Sequence, residues 1–245
     1  MGHTPVNPAA TDASAAAGTA ADATSPSSQA PHPPPPHPPG IRQARKQQTR
    51  RALLEAALRL LEHSSLGALG LREVTREAGI APAAFYRHFA DVRELGVALV
   101  DDSFGSLHAL ARDARADRPA TEEVIRRTVE VIAAHVREHR PQLEFLARER
   151  HGSVQPVRAA IAAHLDAFAD ELAADLAAQP EAEGWSAADL RVLAEMYVNH
   201  TLLTATALLD AAPGDEAAQR RITATARTQL QLIAVGRRHW LSDRP

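Results

Sequence analysis

The sequence predicts an all-α protein, on three observations. From Arg45 onward, apolar residues recur with the 3.6-residue period of a helix face. No stretch sustains the two-residue alternation of a half-buried strand. The periodic runs are also cut into segments by helix-stopping residues, among them Gly79, Pro141, Gly152, Pro180 and Pro213.

Taken in order, residues 1–41 are rich in Ala, Pro, Ser and Thr and end in "PHPPPPHPPG". Such a segment has too little apolar surface to offset chain entropy, so it predicts a disordered, solvated tail with polyproline II character. Its two histidines within the proline run could bind a metal only weakly. Leu53, Leu54, Ala57, Leu60 and Leu61 then share one face of a first helix that stops before Gly67. A second, "LREVTREA", starts near Leu71 and ends at Gly79, a residue suited to a left-handed backbone. A third starts at Pro82, where a missing N–H costs nothing, and runs to Phe89. Asp91, with Glu94 three residues on, reads as a capping box opening a long helix to about Ala114. Five more helical segments follow, stopping at Pro141, at Gly152, near Pro180, at Pro213 and at the end of "IAVGRRHW".

Composition narrows the function classes. The chain has no cysteine, which removes disulfides, thiolate nucleophiles and cysteine-ligated metal centres. It has no apolar run long enough to span a bilayer and no basic, leucine-rich export signal, so a cytoplasmic protein without a membrane partner is expected. Net charge is −3, yet Arg42, Arg45, Lys46, Arg50 and Arg51 form a local basic run with no acid among them. Lys46 is the chain's only lysine. The positive charge is therefore concentrated, which suits one anion-binding patch rather than a coat over nucleic acid.

The stretch "LREVTREAGIAPAAFYRHF" places two short helices around a glycine turn, the geometry in which a second helix enters the DNA major groove. At about 100° per residue, Phe85 and Phe89 share an inner face and can pack on Leu53, Ala57 and Val74. Ala83, Tyr86 and Arg87 share another. Pro82, Ala83 and Ala84 allow close backbone approach and apolar contact with thymine methyls. Tyr86 and His88 can bond phosphate oxygens, while Arg72 and Arg87 can carry polar readout. Arg45, Lys46, Thr49 and Arg50 lie just upstream to engage the DNA backbone.

"REVTREAGIAPAAFYRHFADVREL" resembles the TetR family of bacterial transcriptional regulators over residues 45–100. The resemblance implies a DNA-binding head of three helices (42–90), a helical ligand-binding and dimerisation body (91–245), a homodimer and a palindromic double-stranded DNA operator. "RKQQTRRALLEAA", "LVDDS", "ARERHGS", "VRAAI" and "IAVGRRHW" are similar to one branch, the repressors of unsaturated fatty-acid biosynthesis (FabR-like). Val92 stands where most of the family has a phosphate-contacting lysine. Gly70 replaces a capping Ser or Thr, and Thr75 a small alanine at a helix contact.

In the body, Phe104, Leu107, Leu110, Val131, Leu143, Phe145, Leu146, Leu165, Phe168, Leu172, Met196 and Tyr197 exceed the needs of one bundle layer. Each can be core; some can line an acyl-chain cavity. Arg148, Arg150, Asn199 and His200 are the polar candidates beside it. The expected effector is a hydrophobic small molecule, a long-chain acyl-coenzyme A or acyl carrier protein thioester, with no bound cofactor. Two stripes, Leu190/Leu193/Tyr197/Leu208 and Ile222/Ala226/Leu230/Ile233/Trp240, are expected to pair with a second subunit. Two other readings stand beside this one. The first is a regulator of efflux or other genes answering a different hydrophobic molecule. The second is a zinc peptidase, since "HVREH" is a His-x-x-Glu-His with His135 and His139 on one helix face, Glu138 between and Glu216 downstream.

Overall fold

The computed structural model describes Met1, residues 39–115 and residues 121–240, and from Gly40 onward the chain is one compact unit. The expected tail at 1–41 falls almost wholly outside the described residues, as does the side chain of Leu110.

Among the described residues every regular element is helical: α1 (Pro39–Leu61), α2 (Leu71–Glu77), α3 (Pro82–Phe85), α4 (Val92–Arg115), α5 (Thr121–Glu138), α6 (Arg140–Glu149), α7 (Gln155–Ala177), α8 (Ala187–Asp210) and α9 (Glu216–His239). Two 3-10 turns, Leu66–Ala68 and Pro180–Ala182, join α1 to α2 and α7 to α8.

The punctuation residues act as their chemistry dictates. Gly79 has φ +66, and the α2 end closes with Ile80 N–H on the Thr75 carbonyl (2.9 Å) and Gly79 N–H on the Arg76 carbonyl (3.1 Å). That bonding pair is a Schellman motif. Asp91 Oδ1 accepts from the Arg93 and Glu94 N–H groups at 2.8 and 2.9 Å, capping α4. Glu94 reaches back to the N–H of Ala90 rather than of Asp91, one residue beyond a standard capping box. Gly70 has no oxygen to lend α2, but Glu73 accepts its N–H at 3.0 Å, so half of the box survives. Pro141 sits in the first turn of α6 and starts that helix as much as it stops α5.

Two expectations shift. Regular α-helical structure in α3 ends at Phe85, and Tyr86 to His88 continue as a turn whose bonds include Arg87 N–H to Ala84 (3.2 Å) and His88 N–H to Phe85 (2.8 Å). The pairing stripes change more. Leu190, Leu193, Leu208, Ala226 and Leu230 are buried within the chain, and Tyr197 and Ile233 pack beside them. The reason is that α8 and α9 pack on α5, α7 and each other. The faces left exposed carry Val192, Met196 and Leu203 on α8, and Leu232 and Val235 on α9, with Trp240 after it.

The main core runs without a break from α1 through α3 into α4, α6 and α7, joining Leu53, Ala57, Val74, Phe85 and Phe89 to Leu95, Leu99, Phe145, Val157 and Ile161. The segment expected to read DNA is therefore seated directly on the body's first helices. No helix among the described residues is long and apolar enough to cross a membrane.

Candidate nucleic-acid interface

The aromatic segment divides as its helical phase requires. Phe85 and Phe89 are fully buried with ring centroids 5.6 Å apart, whereas Tyr86 is 63% exposed. Pro82, Ala83 and Arg87 are exposed and Ala84 is half-buried, so the outer face is small, then aromatic, then cationic. No described residue covers it.

Basic residues from α1 meet this face. Arg45 and Lys46 are exposed, and the Arg50 guanidinium lies 5.2 Å from the centre of the Phe89 ring. Thr49 spends its hydroxyl on the Arg45 carbonyl at 3.0 Å, within its own helix. Arg72 is exposed on α2, and α2 is tied to α1 by Arg59 on Glu77 at 2.8 Å. His88 reports the local field. Its pKa is lowered first by burial and then by the charges of Lys46, Arg50 and Arg87, and its Nδ1 is buried without a partner. A neutral imidazole ringed by three cations marks a surface suited to phosphate.

The residues expected around an effector are dispersed. Phe104 and Phe168 are stacked on imidazoles between α4 and α7: Phe104 on His164 (4.7 Å, 8°) and Phe168 on His108 (3.8 Å, 3°). Each histidine meets a carboxylate, His164 on Asp101 at 3.0 Å and His108 on Glu171 at 3.2 Å. Leu107 packs beside them, and Phe145 belongs to the core beneath the reading segment. Val131 is half-buried on α5. Tyr197 is wedged among α5, α7 and α9, where burial raises its pKa. His200 is half-buried, and its carbonyl accepts from Thr204 at 2.9 Å. Met196 faces outward. Arg148 is a bracket rather than a ligand group here: it donates to the carbonyls of Leu61 and, at 3.1 Å, Ser64, closing the end of α1.

Of the polar candidates, Arg150 and Asn199 come together, with Leu165, in a cleft of about 390 Å³ between the α6–α7 turn, α7 and α8. Arg158, Ile161 and Val198 also line it and were not singled out from the sequence. Glu149 was missed as well. It is 2% exposed, and its Oε1 accepts the Leu66 N–H at 3.0 Å. The available signal was its place on the Phe145/Leu146 face, one turn on, where a carboxylate demands a partner.

In the His-x-x-Glu-His stretch, the rings of His135 and His139 lie 4.4 Å apart and His135 is buried. Among the described residues no group of three or more His, Asp or Glu is placed to hold a metal ion.

A helix-turn-helix face open to solvent, beside a basic first helix and joined to a clefted helical body, defines a ligand-responsive DNA-binding regulator. The model of the bacterial regulatory proteins of the TetR family matches residues 53–99, and that of the tetracyclin repressor-like C-terminal domain matches residues 120–236. Together they span well over half of the chain, which belongs to the TetR family; members of this family are transcriptional regulators. Solved structures share its fold. A putative TetR-family regulator from Syntrophomonas wolfei is 12% identical, with 78% of this chain and 96% of that one covered at a TM-score of 0.65. The fatty acid degradation regulator FadR from Bacillus halodurans is 15% identical, covering 76% and 94% at 0.58. FadR from Bacillus subtilis, in complex with stearoyl-CoA, is 13% identical, covering 75% and 96% at 0.59.

Proposed function

We propose that this regulator is a cytoplasmic repressor of fatty-acid or unsaturated-lipid genes, binding a palindromic operator as a homodimer and answering a long-chain acyl thioester. In this reading residues 42–90 carry DNA recognition and residues 91–245 sensing and pairing. The DNA-binding set is Arg45, Lys46, Thr49, Arg50, Arg72, Pro82, Ala83, Ala84, Tyr86, Arg87 and His88. The observation that carries it is the uncovered face of Ala83, Tyr86 and Arg87 beside Lys46 and Arg50.

The lipid assignment has two supports. The "ARERHGS" and "IAVGRRHW" stretches are similar to the unsaturated fatty-acid branch, and two proteins of the same fold are the FadR regulators of Bacillus halodurans, a fatty acid degradation regulator, and of Bacillus subtilis, the latter solved with stearoyl-CoA. For pairing, the reading assigns the exposed stripes of α8 and α9 to a second copy. They present Val192, Met196, Leu203, Leu232 and Val235, an apolar surface that a paired subunit would bury.

The test is genome-wide binding followed by mobility shift on the sites found. Peaks beside desaturase or fatty-acid synthesis genes, and operator affinity altered by palmitoyl-coenzyme A, are expected. Peaks confined to transporter genes, with no response to saturated or unsaturated acyl thioesters, would replace this reading with the efflux one.

A further inference from the structure

We propose that the cleft between the α6–α7 turn and α8 seats the anionic headgroup of the effector, and that Gly152 and Glu149 pass its occupancy to the DNA-reading end. This rests on the acyl-thioester reading for the effector's identity, though the anion site stands on its own geometry.

The lining carries two guanidinium groups, Arg150 and Arg158, with His151 beside them in the same turn region. The Arg150 guanidinium makes no hydrogen bond or ion pair among the described residues. Two carboxylates, Asp166 and Glu195, also line the cleft, but Arg191 on α8 holds both, at 3.2 and 3.0 Å, and holds Asp170 as well. Both carboxylates are turned to Arg191, which leaves Arg150 and Arg158 without a carboxylate partner among the described residues. Ile161, Leu165 and Val198 give that space an apolar floor. Cations over an apolar floor fit an anion attached to methylenes, and the volume suits a small-molecule segment.

The cleft is physically joined to the head. Arg158 donates to the Gly152 carbonyl at 2.5 Å. A Cβ on Gly152 would lie 2.2 Å from Glu149 Oε2, so the turn and the carboxylate are in tight contact. Glu149 in turn holds the Leu66 N–H at 3.0 Å, and Leu66 fills the space over Gly96, where a Cβ would lie 2.4 Å from its Cδ2. An anion that draws Arg158 off Gly152 therefore disturbs a chain of contacts ending on the 3-10 turn between α1 and α2 and on α4, the helix that follows the reading segment.

The experiment uses the full chain. Calorimetric titration with coenzyme A and palmitoyl-coenzyme A compares wild type with Arg150→Gln and Arg158→Gln. Each substitution is expected to weaken coenzyme A binding about tenfold or more, as loss of a charge-assisted contact does. Mobility shift with and without palmitoyl-coenzyme A then compares wild type with Glu149→Gln and Gly152→Ala, both checked for folding by circular dichroism. Both are expected to shrink the effector's effect on operator affinity while coenzyme A still binds. Coenzyme A binding that is absent in wild type, or unchanged within twofold in both arginine variants, overturns the site. An undiminished operator response in both Glu149→Gln and Gly152→Ala overturns the relay. Arginine-dependent coenzyme A binding with no operator response to palmitoyl-coenzyme A would instead sink acyl-thioester regulation and leave the anion site standing.

Discussion

At the scale of single residues, side chains of one segment divide cleanly between fold and function. Phe85 is wholly buried, so truncating it would cost core packing, about 3 to 5 kcal/mol for Phe→Ala, and report nothing about DNA. Tyr86 and Arg87 are exposed, and their removal should leave a folded dimer. Tyr86→Ala and Arg87→Ala are expected to lose specific operator binding in a mobility shift, with an unchanged melting curve; wild-type affinity in either would dismiss this face as the reader. The histidines make a second prediction. His135 is buried, and burial, then neighbouring His139, lowers its pKa, outweighing the opposite pull of Glu138. An imidazole kept neutral in the fold but free to protonate when unfolded gives the unfolded chain the greater proton uptake. Stability is then fully present above about pH 6.5 and is lost as pH falls from there through the depressed pKa. His88 acts in the same direction. Replacing His135 with Leu should flatten the loss of melting temperature between pH 7.5 and 5.5 without abolishing it; an unchanged slope would mean that His135 titrates normally.

At the scale of elements, boundaries were legible wherever one residue type dictates the backbone. Gly79, Pro82 and Asp91 mark the ends they occupy, whereas Ser186 and Asp215, which the pattern did not single out, cap α8 and α9 by accepting the N–H groups of Asp189 and Ala218 at 3.1 and 2.9 Å. Their effects can be priced. Gly79 has open space where a Cβ would stand, so Gly79→Ala should cost only the left-handed backbone penalty, about 1 to 2 kcal/mol in chemical denaturation. Asp91→Ala should cost about 1 kcal/mol through the lost cap of α4. What the pattern could not show is which neighbour uses a polar group. Arg148 and Arg150 are two residues apart in one arginine-rich stretch, and both looked like headgroup ligands. The register of α6 turns Arg148 onto the end of α1 and leaves Arg150 over the cleft. Likewise Phe104 and Phe168 were legible as apolar, but not as rings already covered by His164 and His108 from the facing helix. Periodicity gives a face, and the partner across it is a tertiary fact.

At the scale of the whole molecule, the same limit decides how two copies meet. Helix α8 is apolar on more than one side, with the expected stripe Leu190, Leu193, Tyr197 and Leu208 and a second set, Val192, Met196 and Leu203. The structure spends the first on α5, α7 and α9, which makes the second the face available to a partner. This distinction is testable because the two sets fail differently. Leu203 is 63% exposed and Leu232 66%, so placing a charge at either should leave the monomer's core intact. Leu203→Asp and Leu232→Asp are expected to shift the protein from dimer to monomer by sedimentation at micromolar concentration, with helical content retained. If the operator is the palindrome proposed above, it is held through two linked heads, and losing the link should weaken its binding by about a hundredfold or more. Leu193→Asp, by contrast, buries a charge within one chain and should unfold the body whatever the concentration. A dimer that survives both Leu203→Asp and Leu232→Asp would return the pairing surface to some other face, and with it the spacing of the two heads on DNA.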